Sequence, residues 1–133
     1  MNLRDRVVLI TGGARGIGLA CVHALVQKGA KVCVLDLTPG ESLPGGATYW
    51  KLDVTDRPTF AGVVAEIEKT VGPVDILVNN AGLMPVGEVL DHSEYNDRLQ
   101  VDVNLHGVLN GVHAVLGSML HRKRGHIVNI ASL

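Results

Sequence analysis

A chain of 133 residues with 12 Lys+Arg against 13 Asp+Glu has a net charge of −1. It lacks the basic footprint needed to wrap a phosphodiester backbone, so nucleic acid is not expected as a partner. Its 47% hydrophobic content beside 19% charged residues excludes a disordered tail, and the length suits one compact domain.

The opening segment, MNLRDRVVLITGG, holds an apolar run too short for a signal-peptide core, and no small-residue cleavage site follows. Val7–Thr11 (VVLIT) is nearly all β-branched or Leu and reads as a strand covered on both faces. Gly16–Lys28 reads as a helix with Ile17, Cys21, Ala24 and Leu25 on one stripe and Gly29 as its stop. Val32–Asp36 and Ala47–Leu52 are the next two strands. Thr55 can cap a second helix, in which Phe60, Val63, Val64, Ile67 and Val71 follow the 3.6-residue period up to Gly72-Pro73. Ile76–Asn79 is the fourth strand.

A long helix is predicted from about Glu94 to Arg124, with Gly125 as its stop. Arg122, Lys123 and Arg124 in its last turn read as compensation for the helix dipole. Its apolar residues, from Val101 to Met119, fall on more than one face, which implies cover from two sides. Asp102, Asn104, His106, Asn110 and His113 interrupt the same stretch and argue against a membrane span. Ile127–Ala131 is the fifth strand. This alternation with short connections predicts an α/β fold: a Rossmann-like, doubly wound parallel sheet of about five strands, in one domain over residues 1–133.

The sharpest local signal is TGGARGIG at Thr11–Gly18, which follows a buried strand and opens a helix. Gly12 suits a sharp turn, Gly16 clears space where a pyrophosphate must approach, and Gly18 lets helix and strand pack closely. Amides at the helix start would face the phosphates. The glycine spacing, together with Asn79-Asn80-Ala81-Gly82 after the fourth strand, resembles the short-chain dehydrogenase/reductase family of single-domain type. Asp36, Asp53-Val54, Asn104 in VNLHG and Ser132 in VNIAS extend the match in order, so that it covers nearly the whole chain.

The resemblance implies a nicotinamide dinucleotide. Asp36 ends the second strand where the adenosine ribose would lie; a carboxylate there accepts bonds from ribose hydroxyls and repels a 2′-phosphate, favouring NAD over NADP. Arg15 argues weakly the other way, and Leu37, Thr38 and Pro39 supply no second basic residue. By the same resemblance Ile17 gives its amide to the pyrophosphate, and Asp53 with Val54 contacts the adenine. Asp53 also reads simply as a helix N-terminal acid. Asn80, Ala81 and Gly82 line the adenosine side, while the Asn side chains tie neighbouring strands together.

The family's chemistry implies a small alcohol or carbonyl substrate, with Ser132 orienting its oxygen and Asn104 holding a water in a proton relay. The family's Tyr-x-x-x-Lys acid/base is absent: Tyr49 is followed four positions on by Asp53, and Tyr95 by Leu99. The expectation is an amino-terminal portion, truncated inside the active site, that turns over nothing by itself. The alternative is an inactive nucleotide-binding or dimer-partner protein. A methyltransferase-like domain is disfavoured by NNAG and by the three residues separating Gly12 from Gly16. Cys21 and Cys33 are expected as buried small hydrophobes, and the six histidines show no HExxH and no metal-ligand cluster. A cytoplasmic homo-oligomer away from membranes completes the reading.

Overall fold

The computed structural model describes residues 1–132. Five strands, β1 (Val7–Thr11), β2 (Lys31–Asp36), β3 (Ala47–Lys51), β4 (Val74–Asn79) and β5 (His126–Asn129), form one sheet. All pairs are parallel and the order is β3-β2-β1-β4-β5, a Rossmann-like arrangement. The strand limits lie within two residues of those the sequence predicts. Every residue of β1 and of β4 is buried, as parallel strands covered on both faces require.

Successive strand residues point to opposite faces and build two cores. Val8, Ile10, Val34 and Ile76 meet Val22 of helix α1 (Gly16–Gln27) on one face. Leu9, Leu35 and Leu77 meet Phe60 and Ile67 of α2 (Arg57–Thr70) and Val115 of α4 (Gly107–His121) on the other. Each such side chain, removed from water, contributes about 1.5–3 kcal/mol. Burial also pushes the Cys33 thiol above its usual 9.0, so it stays protonated and behaves as a hydrophobe; Cys21 is only half-buried.

Four expectations need correction. In α1 the buried residues are Gly18 and Val22; Ile17 is 71% exposed and Ala24 is exposed too. The helix leans on the sheet through Gly18 and Val22, and of the predicted stripe Cys21 and Leu25 do pack, half-buried, against the core. The cap of α2 is Asp56 rather than Thr55. Its carboxylate accepts from the Thr59 amide at 3.0 Å and the Thr59 hydroxyl at 2.7 Å, bonds that hold it below the ordinary Asp value.

The long helix is not one regular helix. It consists of α3 (Glu94–Val101), a π turn (Asp102–His106) and α4, and the Gly107 amide reaches back five residues to the Asp102 carbonyl. The extra residue slips the helical phase between α3 and α4. The last-turn arginines, finally, do more than face the helix dipole. Arg124, Arg122 and Arg6 converge on the nearly buried Asp75 carboxylate at 2.7, 3.7 and 3.7 Å, and its second oxygen accepts from the Val7 amide. This charge cluster closes the amino-terminal end of the sheet. No helix among the described residues is long and apolar enough to cross a membrane.

Candidate functional site

The carboxyl ends of β1 and β4 lie side by side, and the chain leaves them toward opposite edges of the sheet. Open α/β sheets place ligands at such a divergence. Here it is closed by a small hydrogen-bond network. The Thr11 hydroxyl, at a residue only 1% exposed, accepts from the backbone amides of Asn80 at 3.0 Å and Ala81 at 2.9 Å. In return the Asn80 side-chain amide donates to the carbonyls of Thr11 and Gly12, both at 3.1 Å. Asn80 is thus spent on positioning the glycine loop.

Two glycines in that loop do different things. A Cβ on Gly18 would stand 2.3 Å from the Gly12 carbonyl oxygen and 2.6 Å from the Asn80 amide nitrogen, so α1 can approach β1 this closely only with glycine there. Gly16 adopts φ +57° and has nothing within 4 Å of where a side chain would stand. The space beside it is open, and the first-turn amides of α1, Ile17 included, have no partner within the helix. That combination suits an anion.

Asp36, at the end of β2, is held on both oxygens. One accepts from the Ala14 amide at 3.0 Å, the other from the Leu37 amide at 2.8 Å, and the Arg15 guanidinium stands 3.7 Å away. A carboxylate oxygen has a second lone pair, so each can still accept a ligand hydroxyl. Asp53 accepts from both the amide and the hydroxyl of Thr55, an Asx turn ahead of α2. Its neighbour Val54 is buried, with its carbonyl held by the Asn110 side chain at 2.8 Å.

A cavity of about 430 Å³ gathers most of these groups. Gly12, Arg15 and Asp36 form one side, Asp53 and Val54 another, and Asn80, Ala81 and Gly82 a third. Leu35, Leu52, Leu99 and Val103 supply apolar wall between them. The lining offers apolar wall for a ring and two carboxylates for hydroxyl or amine donors.

The two predicted catalytic residues lie outside that cavity wall. Asn104 sits within the π turn, and its side chain donates to the Leu83 carbonyl and accepts from the Leu83 amide, both at 2.8 Å. It mimics a paired strand and fixes the segment that leaves Gly82. Ser132 is exposed beyond β5, whose Asn129 accepts a hydrogen bond from Asn79. Sequence reasoning missed Thr11 and Asn110 as site-building residues. The only signal for Thr11 was a hydroxyl directly ahead of the glycine run, and a strand-forming Thr gives the same pattern.

The chain matches the short chain dehydrogenase family over residues 6–133. It belongs to the short-chain dehydrogenase family. It is 37% identical to the 3-alpha-(or 20-beta)-hydroxysteroid dehydrogenase of Mycobacterium bovis, over 99% of this chain and 53% of that protein. Its identity to the galactitol 2-dehydrogenase of Agrobacterium fabrum is also 37%, over 99% and 54%. The structure of ligand-free Thermoplasma acidophilum aldohexose dehydrogenase superposes with a TM-score of 0.88 at 34% identity, covering 98% of this chain and 50% of that one. This short-chain dehydrogenase chain therefore spans about half the length of the curated relatives it matches. Membership implies a nicotinamide cofactor, NAD or NADP, and the open space at Gly16 beside a carboxylate-edged cavity fits the adenosine diphosphate half of either.

Proposed function

We propose that residues 1–133 form the cofactor-binding part of an oxidoreductase that moves a hydride between nicotinamide and an alcohol or carbonyl carbon, with NAD preferred to NADP. The observation that carries the preference is Asp36, fixed by two backbone amides at the rim of the cavity. In this reading its carboxylate accepts from the ribose hydroxyls and opposes a 2′-phosphate. Gly16 admits the pyrophosphate, with the Ile17 amide donating to it. Asp53 and Val54 meet the adenine edge, and Asn80, Ala81 and Gly82 shape the opposite wall. The nicotinamide, when bound, supplies the hydride donor or acceptor.

Ser132 would orient the substrate oxygen. Asn104 would hold a water of the proton relay while its amide side chain clamps Leu83. No Tyr in the chain is followed four positions later by Lys, so these residues do not supply the general acid/base, a contribution of roughly 10²–10⁴ in rate.

The test is a cofactor titration of Asp36→Ala. Loss of the carboxylate is expected to weaken NAD at least tenfold, since one charge-assisted hydrogen bond is worth about 1.5–3 kcal/mol. It should also favour NADP relative to NAD, since the charge opposing the 2′-phosphate is gone. An unaltered ratio of the two affinities removes Asp36 as the selector.

A homo-oligomer belongs to the same proposal. Val101, Leu105, Leu109, Leu116 and Leu120 leave an exposed apolar row along α3, the π turn and α4. Soluble monomers seldom keep such a row open. Sedimentation is expected to show a dimer or larger species, and a monodisperse monomer at micromolar concentration would count against it.

A further inference from the structure

The segment that follows β2 is pressed onto the glycine loop. A Cβ on Gly40 would lie 2.5 Å from the Ala14 carbonyl oxygen, so the two loops touch backbone to backbone. Across that contact the Arg15 guanidinium donates to the Thr38 hydroxyl at 2.6 Å, while its other terminal nitrogen stands 3.7 Å from Asp36. Arg15 is the one cation among the residues lining the cavity, and the wall carries two carboxylates, Asp36 and Asp53. A ligand with an additional phosphate on its ribose depends on this single guanidinium for compensation.

We propose that Thr38 sets the cofactor discrimination of this site, by holding Arg15 on Asp36 and so withholding it from a 2′-phosphate. The inference rests on the dinucleotide reading above and adds to it a residue that neither charge nor motif marks. A guanidinium has five N–H donors but one plane. With one terminal nitrogen bound to Thr38 and the other beside Asp36, it cannot turn its fork to a phosphate without giving up one of the two. Thr38 is exposed, and its side chain serves no core. Its effect on binding therefore runs through Arg15, and Thr38 is a positioning residue.

The experiment measures calorimetric dissociation constants of NAD and NADP, which differ only in the 2′-phosphate, for the purified protein and three variants. Thr38→Val is expected to improve NADP relative to NAD by about three- to tenfold, the scale of one partly exposed charge-assisted hydrogen bond. Thr38→Ser keeps the hydroxyl and is expected to retain the wild-type ratio. In an Arg15→Ala background, Thr38→Val is expected to change nothing, because the two residues act as one unit. Melting temperatures should stay level through the Thr38 series. A ratio unmoved by Thr38→Val, one that moves toward NAD, or a shift that survives Arg15→Ala overturns the role of Thr38 and leaves the dinucleotide reading standing. A wild-type protein that binds neither cofactor overturns both.

Discussion

Thr11→Val is expected to lower the stability of the chain by about 2–4 kcal/mol and to weaken NAD at least tenfold, although it removes no volume from the core. Valine matches threonine in shape, so no cavity opens and the strand stays in place. What disappears is the oxygen that accepts from the Asn80 and Ala81 amides at 3.0 and 2.9 Å. Thr11 is 1% exposed and the residues of the two amides are half-buried, so water replaces the lost acceptor only in part. Each amide left short of an acceptor there costs toward the lower part of about 1–3 kcal/mol, and two are left. The loss also frees the start of the segment that carries Asn80, Ala81 and Gly82 along the cavity, hence the effect on binding. Thr11→Ser keeps the oxygen and sheds one methyl, worth roughly 0.8 kcal/mol. Urea unfolding separates the two variants: equal stabilities for valine and serine would mean that the hydroxyl does not hold this junction.

That residue also shows where the sequence is silent. The strands were readable because β1 and β4 are buried on both faces, which leaves a continuous apolar run. The glycine loop was readable because its spacing sits between a strand and a helix, a context that few other structures produce. Around the cavity, Gly12, Arg15, Asp36, Asp53, Val54, Asn80, Ala81 and Gly82 come together from four separate stretches of the chain. Contacts between distant residues were not readable one by one. Nothing local distinguishes Thr11 as a double acceptor, or Asn110 as the anchor of a carbonyl 56 residues away.

The π turn is an intermediate case. Apolar residues on more than one face of the predicted long helix read as a helix covered on two sides. The five-residue hydrogen bond from Gly107 to Asp102 adds a slip of helical phase that no residue pattern announced. Asn104, within that turn, presents both ends of its amide to Leu83. A regular helix would carry the residues after the turn at a different angle, so the insertion links helix geometry to the wall of the site.

The second large effect is expected at Gly18, where adding one methyl sets side chain against backbone. Alanine is the better helix former by about 0.5–1 kcal/mol, so an exposed helix interior would gain from the change. Here the new Cβ would stand 2.3 Å from the Gly12 carbonyl oxygen and 2.9 Å from the Gly13 Cα, both backbone atoms that cannot swing aside. Overpacking of this kind costs typically 1–3 kcal/mol, and more when backbone must move, so the clash outweighs the propensity. Relief requires α1 to lift from the sheet, which carries the Gly16 and Ile17 amides away from the open space beside them. Gly18→Ala is therefore expected to lose about 2 kcal/mol of stability, on the order of 4 °C per kcal/mol in melting temperature. NAD affinity should fall more than tenfold in the same variant. Gly62 supplies the control, since a Cβ there meets nothing within 4 Å and its φ is not of the left-handed kind. Gly62→Ala in α2 should gain a few tenths of a kcal/mol, up to about 1 kcal/mol, and bind NAD as before. If Gly18→Ala melts and binds like wild type, close packing at Gly18 is not what positions the start of α1.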